Sequence, residues 1–264
     1  MSNPQQSVIL EEQGAIAIIR LNRPDVLNAL DIPMAEAFLA AIRTILERPH
    51  IRAIVIRGVG RAFCAGGDVA SFQNAAGHVA EHVDNIIRPF HEAVEIMTAL
   101  PQPSIAFLHG AVAGAGLSLA LACDFAIAAE NAKFTLAYSR IGASPDGSSS
   151  WYLPRIVGLR KAKEIALLAD PFDAAEAYRL GLVNRVVPAD EFEREATALA
   201  MRLAAGPTAA YGRIKALLHG SFDASLSEQL ESERQAFEDS VSTADFAGGV
   251  AAFVEKRAAR FEGR

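Results

Sequence analysis

Short apolar runs rich in β-branched residues recur along the chain at residues 15–21 (AIAIIRL), 51–58 (IRAIVIRG) and 104–108 (SIAFL). These runs lack polar alternation, so both faces of each strand are predicted to be buried. Between them the apolar positions shift to helical spacing. Residues 33–47 follow Asp31, an N-cap candidate, and stop before Pro49; a second helix is expected over 81–100. Strand signals return at 125–129 and 183–187, separated by the helical stretches KAKEIALLA and AAEAYRLG. The alternation predicts an α/β fold. From about residue 190 the pattern is helical only, over 190–205, 208–219, 226–240 and 243–258, which adds an α-helical tail to that core.

Composition narrows the function classes. With 264 residues, 51% apolar and 21% charged, the chain can bury a sizeable core. No apolar stretch reaches the roughly 18 residues of a membrane span, and the start MSNPQQSVILEEQG lacks a secretory pattern, so a cytoplasmic, membrane-free protein is expected. Cys64 and Cys123 form no paired pattern, which predicts neither a disulfide framework nor a zinc cluster. A formal net charge of −6 argues against nucleic acid as the main partner, because phosphate binding leans on Lys and Arg.

Two segments carry candidate chemistry. RAFCAGGDVASF follows the strand at 51–58 and places Ala65, Gly66 and Gly67 where only small side chains let a ligand approach the backbone. HGAVAGAGLSLALACD follows the strand at 104–108 and passes from small residues into a helical pattern near Gly114. Free amides and the positive end of the dipole at such a helix terminus stabilise a developing oxyanion.

The order LNRPDVLNAL, AFCAGGD, HGAVAGAGLSLALACD, SRIGASPDGSSSWYLPRIVG and AFVEKR resembles the crotonase superfamily, the enoyl-CoA hydratases and isomerases, over nearly the whole chain. The resemblance implies a spiral of ββα units over 1–200 that binds acyl-CoA. It also implies a helical region, 201–264, that assembles a homotrimer or a dimer of trimers. Gly67 and Ala115 would be the two oxyanion-hole donors, with Gly114 or Gly116 as alternatives to Ala115. Val26, Leu27 and Asn28, together with Ala65, Gly67, Asp68, Val69 and Ala70, would line the coenzyme A, which enters as part of the substrate. No metal or separate cofactor is implied. Lys256 and Arg257 would reach a neighbouring subunit's phosphates.

The hydratases of this superfamily carry two glutamates, at positions that here read Ser118 and Tyr138. Simple water addition is therefore not the expected reaction, since two positioned carboxylates are missing. Asp146, in SPDGSSSWYLPR, matches the aspartate of members that shift a double bond or rearrange a ring, such as epoxyphenylacetyl-CoA isomerases. One carboxylate suffices to move a proton between two carbons of an enolate. His91 matches a histidine of 4-chlorobenzoyl-CoA dehalogenases, so a dehalogenase or thioester hydrolase with Asp146 as nucleophile is the alternative, beside a hydratase. A catalytically silent acyl-CoA- or RNA-binding protein is the alternative from another class. As a bare sequence, PDG before SSSWYLP also reads as a turn and helix cap.

Three further matches are discounted. HVAEH (His78, Glu81, His82) fits an inverted zinc-protease motif but lacks a third ligand. GLSLA around Ser118, with Asp146 and His219 later, lacks the final glycine of a nucleophile elbow. Gly114 and Gly116 begin a dinucleotide fingerprint that no third glycine completes.

Overall fold

A computed structural model describes residues 6–75 and 77–264. The chain forms β1 (Val8–Gln13), β2 (Ile16–Leu21), α1 (Ile32–Leu46), β3 (Ala53–Gly58), α2 (Val69–Asn74), α3 (Val79–Ala99), β4 (Ser104–Leu108), β5 (Ala111–Ala113), α4 (Ala115–Ala122), β6 (Phe125–Ala129) and β7 (Lys133–Thr135). It continues with α5 (Ser149–Leu168), β8 (Phe172–Asp173), α6 (Ala174–Arg179), β9 (Arg185–Val187) and α7 (Phe192–Ala204), then α8 (Thr208–Gly220), α9 (Leu226–Val241) and α10 (Ala244–Val254).

Six strands make one sheet in the order β1-β2-β3-β4-β6-β9, parallel except for the β1–β2 hairpin. A second sheet holds β5, β7 and β8. The chain thus advances in steps of long strand, short strand and helix: β4–β5–α4, then β6–β7–α5. This is the crotonase-like spiral of ββα units. The central strands are buried on both faces, as their apolar runs require, except at Arg57 near the end of β3. One face packs on α1, α3 and α4 through residues such as Ile54, Phe38 and Met97. The other packs on α7 through Val55, Phe107 and Leu199.

Asp31 caps α1 as its sequence predicts, its carboxylate accepting from the Met34 N–H at 3.0 Å. α3 starts at Val79, two residues earlier than expected, and the helical stretch KAKEIALLA is the second half of α5, which is broken by a non-helical Gly158. α7 runs across residue 200 and stays on the sheet through Leu203 and Ala204, so the helical tail begins with α8 rather than at 201.

Asn28 corrects the sequence reading: it is fully buried and lines no ligand surface. Its amide nitrogen lies 3.0, 2.9 and 3.1 Å from the carbonyls of Val59, Ala62 and Phe63, and its oxygen accepts from the Arg23 N–H at 2.8 Å. It clamps the turn after β2 to the turn after β3. Asn28→Ala strands these backbone groups, and chemical denaturation is expected to show a loss of about 3 kcal/mol.

Candidate active site

The turn after β3 and the turn after β4 run side by side. The Phe63 N–H donates to His109 O at 2.8 Å, the Cys64 N–H to Ala111 O at 3.1 Å, and the Ala113 N–H to Cys64 O at 2.9 Å. Cys64 and Val112 are therefore parallel bridge partners. Three residues further along each strand of this pair stand Gly67 and Ala115. Gly66 and Gly114 adopt positive φ, 108° and 48°, and their backbones touch: a Cβ on Gly114 would lie 3.4 Å from Gly66 Cα. A Cβ on Gly66 would lie 3.2 Å from Ala113 O, and the positive φ at both positions favours glycine.

A second bridge, Leu30 to Gly67, sends the Leu30 N–H to Gly66 O (2.7 Å) and the Asp68 N–H to Leu30 O (2.9 Å). Gly67 N–H is thereby turned away from Leu30 and has no acceptor among the described residues. Ala115 is the first residue of α4, where an N–H has no intrahelical partner. Two free amides and a helix N-terminus thus come from the two paired turns.

Asp146 lies in the loop between a 3-10 turn, Ala137–Ile141, and α5. Tyr138 Oη donates to its Oδ1. Its backbone carbonyl accepts from the Ser118 hydroxyl at 2.8 Å and from the Ser149 hydroxyl at 3.1 Å. Next to it, the Gly147 N–H donates to His91 Nε2 at 3.0 Å, which puts the ring proton on Nδ1. Gly147 has φ 59°, and a Cβ there would fall 2.6 Å from the Phe90 ring and 3.0 Å from Ser118 Cβ. The loop is wedged between α3 and α4. Burial, then the negative charge of Asp146, push the Tyr138 phenol well above its ordinary pKa, so it stays protonated and donates. Oδ2 has no hydrogen-bond partner among the described residues.

The remaining predicted positions divide. Val26 is exposed, Leu27 is half-buried with φ 54°, and the Ala65 N–H donates to Leu27 O at 3.0 Å, so these residues form one rim beside Gly67. Val69 and Ala70 are exposed on α2. The Asp68 carboxylate, by contrast, caps α2 and pairs with Arg23 at 3.0 Å, which leaves it little to offer a ligand. Gly116 and Ser118, which the resemblance would also place against the substrate, are buried inside α4. Gly116 faces Cys64, whose carbonyl would stand 2.4 Å from an added Cβ. Lys256 follows α10 at φ 54°, and Arg257 pairs with Glu255 at 2.5 Å.

Of the discounted motifs, His82 Nε2 is 2.8 Å from Ser71 Oγ, and His78 and Glu81 lie on the exposed start of α3. Ser118 Oγ is committed to Gly114 O, Tyr138 and Asp146 O, while His219 packs against Trp151 and Tyr152. The residue that sequence reasoning missed is Phe72 on α2, whose ring lies 3.3 Å from where a Gly67 Cβ would be. Asp68 as a cap before VASFQN was the available signal.

The chain matches the family described as "Enoyl-CoA hydratase/isomerase" over residues 11–264. It is 40% identical over 255 residues to a Rhodobacter capsulatus protein named "Probable enoyl-CoA hydratase", covering 96% of this chain and 97% of that one. It is 32% identical over 258 residues to the 1,2-epoxyphenylacetyl-CoA isomerase of Escherichia coli, covering 97% and 98%. An enoyl-CoA hydratase from Polaromonas sp. JS666 superposes with a TM-score of 0.91 at 36% identity, covering 96% of this chain and 99% of that one. Among the described residues no helix is long and apolar enough to cross a membrane.

Proposed function

Because this chain belongs to the enoyl-CoA hydratase/isomerase family, and so is an acyl-CoA enzyme, we propose that it moves a double bond, or rearranges a ring, on an enoyl-CoA thioester. Asp146 Oδ2 takes a proton from one carbon. The charge passes to the thioester oxygen, where the Gly67 and Ala115 amides receive it, and the proton is returned to another carbon. Each such donor is worth about 2.7 to 4 kcal/mol in comparable oxyanion holes. Coenzyme A arrives as part of the substrate, along the rim of Val26, Leu27, Ala65, Val69 and Ala70, and no step calls on a metal or a separate cofactor. Assembly as a trimer or a dimer of trimers is supported by bare apolar side chains on the C-terminal helices, such as Leu226, Phe237 and Phe253.

The observation that carries the isomerase reading is that the hydroxyls of Ser118 and Tyr138 are both spent on Asp146. Hydration calls for one group to activate water and another to deliver a proton. Here one carboxylate accepts from Tyr138, and Ser118 holds the backbone carbonyl of the same residue. The name of the Rhodobacter relative favours hydration, and one experiment separates the two. Incubated separately with 3-enoyl-CoA and 2-enoyl-CoA, the protein is expected to convert the first into the second with no change of mass. A gain of water on the 2-enoyl thioester, without isomerisation of the other, would overturn the proposal. His91 already accepts from Gly147, which gives no support to a role in activating water for a dehalogenase or hydrolase.

A further inference from the structure

The carboxyl group of an aspartate rotates in a broad, two-fold torsional well, so an unheld side chain presents either oxygen to a substrate. At Asp146 that freedom is removed from one side. Tyr138 comes from the 3-10 turn eight residues earlier and gives its proton to Oδ1. Its oxygen is itself 3.2 Å from Ser118 Oγ, which also holds the Asp146 carbonyl at 2.8 Å. Ser118 lies one helical turn beyond Ala115 in α4. Ser118, on the same helix as the Ala115 donor, and Tyr138 therefore hold the two ends of Asp146, its carbonyl and its carboxylate.

We propose that Tyr138 is a positioning residue, with Ser118 holding the Asp146 backbone carbonyl: it pins Oδ1 of Asp146 and leaves Oδ2 as the one oxygen that carries the proton. The inference rests on the reading of Asp146 as the base. Ground-state order of this kind lowers the barrier by holding the reacting groups in a near-attack arrangement. The other groups around the loop do not perform this task. Ser149 from α5 reaches only the Asp146 carbonyl, and His91 from α3 reaches the Gly147 N–H rather than the carboxylate. The raised pKa of the phenol is consistent with a donor that keeps its proton throughout.

The test is Tyr138→Phe, which keeps the ring and removes the donor, assayed with 3-enoyl-CoA in water and in D2O. A carboxyl group free to rotate offers its newly gained proton to solvent before handing it back. The variant is therefore expected to lose on the order of 10- to 100-fold in kcat with KM within about threefold. Its product should carry at least about twice the solvent deuterium per turnover found with the parent protein. Ser118→Ala, which removes the hydroxyl on the Asp146 carbonyl, should move both readouts in the same direction by less. Thermal melting checks that both variants fold. Unchanged kcat and deuterium content in Tyr138→Phe overturn the proposal, as does a joint loss of kcat and rise of KM with unchanged deuterium content, which is the mark of a mere wall residue. Asp146→Asn run alongside separates the two levels. If it stays active, the base assignment fails and this role with it; if it is inactive while Tyr138→Phe is normal, only the positioning role fails.

Discussion

Asp146→Asn is expected to lower turnover of 3-enoyl-CoA by about 10² to 10⁴-fold while leaving the affinity for an unreactive acyl-CoA within about threefold. Asparagine matches aspartate in size and its carbonyl oxygen still accepts from Tyr138. It cannot take a proton from carbon. The loop does not depend on the carboxylate for its shape, because Ser118 and Ser149 hold the backbone carbonyl and His91 holds the next amide. The oxyanion donors sit on other turns of the chain. The loss should therefore appear in kcat and kcat/KM together, the pattern of an interaction made only in the transition state. Calorimetric titration with a saturated acyl-CoA and steady-state rates check the two halves. Retention of more than about a tenth of the parent rate would remove Asp146 from the mechanism.

The parts legible in the sequence were those decided locally. β2, β3, β4 and β6 are apolar runs, broken only by Arg20 and Arg57 near the ends of β2 and β3, because both faces are covered, and that is a property of the run itself. Asp31 announces α1 because a cap needs only the next three residues. The small residues at 65–67 and 114–116 announce close backbone approach, since nothing larger than alanine stands there. β5, β7 and β8 were not legible. They are two or three residues long and, unlike the equally short β9, stand in no longer apolar run; they exist because other segments lie beside them, as Cys64 lies beside Val112. α2, with six residues, buries none of them and so shows no apolar stripe, unlike the equally short α6, which buries Ala174 and Ala177.

Among the site residues the same rule holds. The glycine turns and the lone carboxylate stand out in the sequence by residue type. What Ser118 and Tyr138 do depends on contacts across 28 and 8 positions and three different elements, so their type alone reads as a departure from a hydratase pattern rather than as a holder of Asp146. Asn28 was misplaced for a like reason. A polar residue in a turn reads as a ligand contact until the carbonyls it satisfies, more than 30 residues away, are folded against it.

The second large effect is expected at Gly116. A Cβ there would stand 2.4 Å from Cys64 O, 2.7 Å from Cys64 Cβ and 3.0 Å from Cys64 C. Cys64 has nowhere to retreat, since its N–H and carbonyl are both engaged on either side of Val112. Gly116→Ala must therefore shift the first turn of α4, and with it the Ala115 N–H that precedes it. Misplacing one oxyanion donor costs about 2.7 to 4 kcal/mol, or roughly 10² to 10³ in kcat. Overpacking of the turn should remove a further 1 to 3 kcal/mol or so of stability, read by denaturant titration. Gly220→Ala is the matched control: its Cβ meets no heavy atom within 4 Å at the end of α8, and both activity and stability should be unchanged. The contrast depends on the paired turns being rigid. If Gly116→Ala keeps both its rate and its stability, the turns yield to the added methyl group, and the oxyanion hole is not held by the backbone contact between Cys64 and α4.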